Sequence, residues 1–214
     1  MLRIVVAALA GLLVAAPAAA HPHVFVTARA ELVFDAAGRV AAVRHVWQFD
    51  EAFSAYAMQG YDANNDGRIT RAELAPLAQI NVESLAEYGF FTWLAIDGVA
   101  QTFGPATDYF DDVYGGRLTL FFTLPLATPV APRGPVVVDV FDPEYFVAIA
   151  FADDRPITLV DAPPACLATF RRPGALDPQT AAALAVIPAD QRALPATLLA
   201  AASGLANTFT VTCP

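Results

Sequence analysis

The chain has 214 residues, of which 57% are hydrophobic and 15% charged, with a formal net charge of −9. Beyond the N-terminus no apolar run reaches the roughly 18 to 20 residues needed to cross a bilayer, so the apolar side chains are read as one sizeable core. The acidic balance argues against a nucleic-acid partner and favours dissolved cations.

Arg3, the apolar run from Ile4 to Val14, and Ala18-Ala19-Ala20 after Pro17 have the three-part pattern of a secretory signal peptide, with cleavage expected after Ala20. Residues 1–20 are thus read as a leader and 21–214 as a single periplasmic domain. Losing Arg3 takes the formal charge from −9 to −10. Cleavage leaves His21-Pro22-His23 at the new N-terminus.

Val24–Phe34 and Val40–Phe49 alternate apolar and polar residues around Asp35-Ala36-Ala37-Gly38, as two strands of a hairpin do. Pairing Asp35 with Gly38 places Val24, Val26, Ala28, Ala30 and Leu32 on a core face with Ala41, Val43, His45, Trp47 and Phe49. That register sets His45 opposite Ala28. Thr27, Arg29, Glu31, Arg44 and Gln48 fall on the other face.

From Asp50 the periodicity changes, with helical spacing over Glu51–Tyr61 and again over Arg71–Tyr88, the second carrying Leu74, Leu77, Ile80 and Leu85. Between them the twelve residues Asp62 to Glu73 match an EF-hand loop, so 50–88 is read as a helix-loop-helix insertion. Hard cations need converging oxygen ligands. Asp62, Asn64 and Asp66 supply side-chain oxygens, Gly67 permits the bend, and Arg68 offers its backbone carbonyl. Thr70 reaches the ion directly or through water, and Glu73 closes the site with two oxygens. A lone loop with three carboxylates fits a weak structural Ca²⁺, of order 10⁻⁴ to 10⁻³ M, better than a paired sensor.

Further strands are expected at Phe90–Ile96, Val99–Phe103, Arg117–Leu124, Val136–Phe141 and Tyr145–Phe151, with turns at Asp97-Gly98, Gly115-Gly116 and Asp142-Pro143. Helices follow over Pro178–Ile187 and Pro195–Ser203, then a strand-like tail over Asn207–Cys213. The fold class is therefore α+β, a β-rich antiparallel sandwich-like domain with an EF-hand insertion and C-terminal helices. Cys166 and Cys213, the only two cysteines, are read as a disulfide in an oxidising compartment. Asp108, Asp111 and Asp112, and the pair Asp142 and Glu144, read as solvated loop acids. No nucleophile elbow, phosphate-binding loop or metalloprotease helix is present in the sequence, so an enzyme is not expected.

At a mature N-terminus the α-amine and imidazole of His21 can chelate one metal, and His23, two positions on in an extended chain, points to the same side. Nitrogen donors suit Zn²⁺, Ni²⁺ or Cu²⁺, with Zn²⁺ or Ni²⁺ put ahead of Cu²⁺, and Pro22, with no amide hydrogen to lose, excludes the square-planar backbone-amide chelate and leaves imidazole and amine ligation. His45 joins such a site only through a bulge or a swing of the N-terminal tip, and otherwise is a buried, hydrogen-bonded side chain.

HPHVFV from His21, RHVWQFDEAFS over Arg44–Ser54, DANNDGRITRAEL from Asp62, FFTLPL over Phe121–Leu126 and FDPEYFVAIAF over Phe141–Phe151 together resemble the bacterial domain of unknown function 1007 family. The resemblance covers nearly all of the mature chain. It implies a periplasmic component of a transport system, a partner to an inner-membrane permease of nickel/cobalt type, with zinc, nickel or cobalt as the cargo. His21, His23 and His45 lie in the matching segments. Two alternatives stand beside it: a calcium-stabilised interaction module with no transition-metal role, and a copper-dependent oxidase built on the N-terminal histidine.

Overall fold

Alternation of side chains drives the first two strands, β1 (Val24–Phe34) and β2 (Val40–Phe49), whose apolar positions are buried and whose polar positions face outward or lie at intermediate depth. The computed structural model describes residues 22–187 and 194–213. The leader expected at 1–20 and the metal-ligand candidate His21 lie outside the described residues.

The hairpin register differs from the expected one by two residues: Ala30 pairs with His45 and Ala28 with Trp47. The loop is the cause. Asp35 N–H donates to Arg39 O at 2.9 Å, Gly38 N–H donates to Asp35 O at 2.9 Å, and Gly38 takes φ 72°, so the turn uses one more residue than a tight tetrad. A bulge between Val40 and Ala42 takes up another. Because the shift is even, Val43, His45, Trp47 and Phe49 keep the core side. Only Ala41 leaves it, with Val40 and Ala42 buried in its place.

Six strands form the first sheet, in the order β5 (Thr107–Tyr114), β6 (Arg117–Val130), β2, β1 and β8 (Val147–Phe151), with β9 (Ile157–Val160) also on β1. β8 and β9 run parallel to β1 and the other pairs are antiparallel. The second sheet is wholly antiparallel, ordered β10 (Leu167–Arg171), β11 (Asn207–Thr212), β7 (Val136–Val140), β3 (Thr92–Ile96) and β4 (Val99–Ala100). One core joins them, with Leu32, Trp47 and Phe122 from the first sheet and Ile96, Val138 and Phe209 from the second. Each such buried side chain contributes about 1.5 to 3 kcal/mol of transfer free energy. The molecule is α+β with two mostly antiparallel sheets and few helices.

Thr107–Tyr114 is a strand, not the aromatic loop expected there. It closes on β6 through Gly115-Gly116 at φ 61° and 76°, a two-residue hairpin turn. The short strands β9 and β10 were also not expected, because Pro residues crowd their flanks.

Among the described residues four α-helices stand beside the sheets: α1 (Glu51–Ala57), α2 (Arg71–Ala86), α3 (Pro178–Ala185) and α4 (Ala196–Ser203). α1 stops four residues before the expected Tyr61, where the chain turns through Gly60 at φ 81°. Asp50 caps it by accepting from Phe53 N at 2.9 Å, and its other oxygen accepts from Phe25 N at 2.8 Å. That one carboxylate ties the helix entry to β1. Thr70 and Glu73 form a reciprocal capping box at the start of α2. A disulfide joins Cys166 to Cys213 across 47 residues and fastens the end of β11 beside β10. None of the described helices is long and apolar enough to cross a membrane.

Candidate functional site

Between α1 and α2 the chain curls so that its own amides point at its acidic side chains. Asp62 accepts from Asp66 N at 3.1 Å and Gly67 N at 2.9 Å, Asn64 Oδ1 accepts from Asp66 N at 2.9 Å, and Asp66 accepts from Arg68 N at 2.8 Å. Left-handed conformations at Asn65 (φ 56°) and Gly67 (φ 78°) make the curl, and asparagine and glycine adopt them at least cost.

Glu73 reaches back from the first turn of α2. One oxygen accepts from Ala63 N at 3.0 Å and the other from Thr70 N at 2.9 Å and Thr70 Oγ1 at 2.7 Å. The bonds from Thr70 lead in holding this carboxyl below the ordinary carboxylate range. The loop thus holds two hydrogen-bonded sets, Asp62, Asn64 and Asp66 in its first half and Thr70 with Glu73 at its end, the second reaching back to the Ala63 amide. Oxygen-only donors of this kind suit a hard divalent cation. Among the described residues no three His, Cys, Asp or Glu side chains converge as a ready-made metal cage.

α2 is clamped to β5 at two points. Arg71 pairs with Asp112 at 2.6 Å and lies 3.9 Å over the Phe110 ring, while Asn81 donates to Asp111 at 3.0 Å. Asp111 was expected to be a solvated loop acid. It is instead fully buried, its Oδ1 has no partner, and desolvation pushes its pKa up to about 7.

His45 lies at zero exposure between the sheets. Trp47 Nε1–H donates to its Nδ1 at 3.3 Å, which fixes the proton on Nε2. Nε2 is 3.2 Å from Thr92 Oγ1, which in turn donates to Phe90 O at 2.8 Å. The relay leaves neither ring nitrogen open to a metal. Desolvation drops the pKa to about 3, so the imidazole is neutral. Its ring also stacks on Phe122 at 4.9 Å.

His23 stands at the mouth of β1. Its backbone N–H donates to Phe146 O at 2.9 Å, and its exposed ring tilts against Phe146 at 4.7 Å. The structure keeps it apart from His45, which faces the interior on the neighbouring strand β2, opposite Ala30.

Next to Phe146 opens a cavity of about 200 Å³ lined by Leu85, Tyr88, Phe91, Glu144, Phe146 and Val147, with Asp142 at its wall. Asp142 too was expected in solvent, yet it is 4% exposed. Its two oxygens accept from Glu144 N and Val147 N, both at 2.8 Å, and so shape the turn into β8. Phe90 and Phe91 hold left-handed conformations, φ 54° and 48°, each costing on the order of 1 to 3 kcal/mol. Stacking of Phe90 on Phe122 and of Phe91 on Trp47 keeps them there. Sequence reasoning missed this cavity, because its walls come from α2, the turn after it and the turn before β8. Spacing along the chain carries no sign of that meeting.

A sequence model of the family described as "Protein of unknown function (DUF1007)" matches residues 6–213, nearly the whole chain. No curated protein matches it.

Proposed function

Since the chain belongs to this family, whose description names no activity, we propose that it is a periplasmic metal-binding accessory of an inner-membrane transition-metal transport system, stabilised by calcium; metal binding is argued from its own residues, and the transport partner is what the resemblance implies. The single observation that carries the reading is the placement of His23. It is exposed at the mouth of β1, fixed by a backbone bond to Phe146 and beside a mostly apolar cavity whose wall includes Glu144. A processed N-terminus at His21 would bring an amine and a second imidazole within reach, a nitrogen-rich set for zinc, nickel or cobalt.

The loop from Asp62 to Glu73 supports an EF-hand Ca²⁺ site with Asp62, Asn64, Asp66, the Arg68 carbonyl, Thr70 and Glu73 as ligands. The residues fit the ion in kind, since the side chains offered are oxygen donors, and Glu73 spans the two ends of the loop. Bound calcium would supply positive charge within the loop and exchange amide bonds for ion contacts. His45 is left out of the transition-metal site, because its two nitrogens serve the core. A permease of nickel/cobalt type remains the proposed partner, and no catalytic step is assigned.

Equilibrium dialysis of the chain beginning at His21, followed by elemental analysis, tests the reading. One equivalent of zinc, nickel or cobalt together with calcium is expected. Calcium alone would reduce the protein to a calcium-stabilised interaction module, and a redox-active copper complex lost in His21→Ala would favour an oxidase.

A further inference from the structure

We propose that the cavity at the end of α2 binds a small quaternary ammonium compound, an organic cation with apolar substituents and no N–H group. The proposal is independent of the metal reading. Three aromatic residues, Tyr88, Phe91 and Phe146, share the cavity wall with Leu85 and Val147. Tyr88 and Phe91 have ring centroids 5.6 Å apart, tilted by 32°. Phe91 in turn packs on Trp47 at 6.4 Å and Phe146 against His23 at 4.7 Å, contacts that hold both rings in place. The face of an aromatic ring is electronegative and attracts a cation. Two acidic residues, Asp142 and Glu144, also line the cavity, and no arginine does. Ring faces and carboxylates without a positive side chain make the space one that a cation fills.

The acceptors available select the class of cation. Asp142 already accepts from the amides of Glu144 and Val147. Glu144 is half-buried, and among the described residues its side chain has no hydrogen-bond or ion-pair partner. A bare metal ion needs several converging donors, and no such group stands among the described residues. A primary ammonium brings three N–H groups, most of which would go unbonded against Leu85, Phe91, Phe146 and Val147. A quaternary ammonium has none to satisfy, and its methyl groups can rest directly on the rings. At about 200 Å³ the space falls below the roughly 300 Å³ of a drug-sized pocket, which limits the ligand to something of choline size. Left-handed backbone stands on both walls, at Phe91 (φ 48°) and at Tyr145 (φ 53°), the residue between Glu144 and Phe146. Strain of this kind clusters at ligand clamps, where it fixes side chains in advance.

The experiment titrates the purified protein, with calcium present and no transition metal added, against three probes: choline, its neutral isostere with a tert-butyl group in place of the trimethylammonium, and ethanolamine. Calorimetry gives the affinities, and NMR shifts of Leu85, Tyr88 and Val147 locate the site. Choline is expected to bind and to move those resonances, with the neutral isostere and ethanolamine at least about tenfold weaker. Tyr88→Leu keeps an apolar wall but loses the ring face and should weaken choline by about 2- to 30-fold. Glu144→Gln should weaken it by about 3- to 10-fold. Glu83→Gln, exposed elsewhere on α2, should change nothing. Tyr88 is 42% exposed, so its variant should fold, and unchanged melting temperatures confirm both variants. Equal affinity for the neutral isostere makes the cavity a plain apolar hollow and overturns the proposal, as does no uptake of choline. Equal affinity for ethanolamine overturns the quaternary assignment, and choline binding that neither variant disturbs overturns the site. No readout involves a transition metal, so none of these outcomes bears on the metal reading.

Discussion

Asn81 on α2 donates its amide to Asp111 on β5 at 3.0 Å, and this is the one hydrogen bond among the described residues to a carboxylate that has no exposure to solvent. The folded pKa near 7 lies above the ordinary 3.8, so between those values the folded chain holds a proton that the unfolded chain has lost. Stability from this group is full below pH 3.8 and falls as pH rises to about 7, by roughly 1.4 kcal/mol per pH unit inside that window. Asp111→Asn removes the fall. Urea unfolding at pH 5 and pH 8 is expected to show the variant gaining on the parent at the higher pH, and a constant difference would mean that Asp111 is not protonated in the fold.

His45 tilts stability in the opposite direction. Its pKa falls from 6.5 to about 3, so the unfolded chain binds a proton that the folded one refuses, and stability drops as pH falls through that range. His45→Phe should flatten the acid limb. At pH 7 it should also cost about 1 to 3 kcal/mol, because the Trp47 indole N–H and the Thr92 hydroxyl lose their partner. Between about pH 4 and 6.5 the two slopes oppose each other, so the parent should show a near-plateau there that either single substitution tilts. Acid titration followed by tryptophan fluorescence reads both effects.

Calcium is expected to raise the melting temperature, with a gain of about 2.7 kcal/mol at a hundredfold excess over its dissociation constant. Glu73→Gln removes the carboxylate that spans the loop ends and should abolish most of that gain. Calorimetry with and without chelator, in parent and variant, measures it, and a chelator-insensitive parent would remove calcium from the molecule.

Reducing the Cys166–Cys213 bridge, or replacing both cysteines with serine, releases a 47-residue loop. The chain-entropy relation gives a loss of about 4 kcal/mol, an upper figure for most bridges. The strand β11 lies inside the second sheet, between β10 and β7, so the whole sheet should loosen. Hydrogen exchange across Thr208–Val211 would register it, and unchanged protection there would argue that pairing alone holds the strand.

The sequence made legible what depends on local pattern. Alternation located β1 and β2, the change of period located the helices around the acidic loop, and the cysteine pair located the bridge. Two kinds of information were out of reach. Register needs the number of residues that a turn consumes, and the five-residue Asp35–Arg39 turn with the bulge at Ala41 is decided by backbone hydrogen bonds. Burial of a charged residue needs its tertiary neighbours: Asp111 and Asp142 sit in segments that read as polar loops, yet α2 covers the first and the turn into β8 folds over the second. His45 was legible as a core-facing position, while its relay through Trp47 and Thr92 joins residues 47 positions apart.

α2 carries Glu73 in its first turn at the acidic loop and Ser84 and Leu85 near its end on the cavity wall, roughly 18 Å of helix between the loop proposed to bind calcium and the cavity beside His23. Whatever seats one end of a rod sets the posture of the other. Thermodynamic reciprocity then requires that if an ion at the loop sharpens the grip at the cavity, an ion at the cavity sharpens the grip at the loop by the same factor. A carrier built this way would load its cargo more readily where calcium is plentiful.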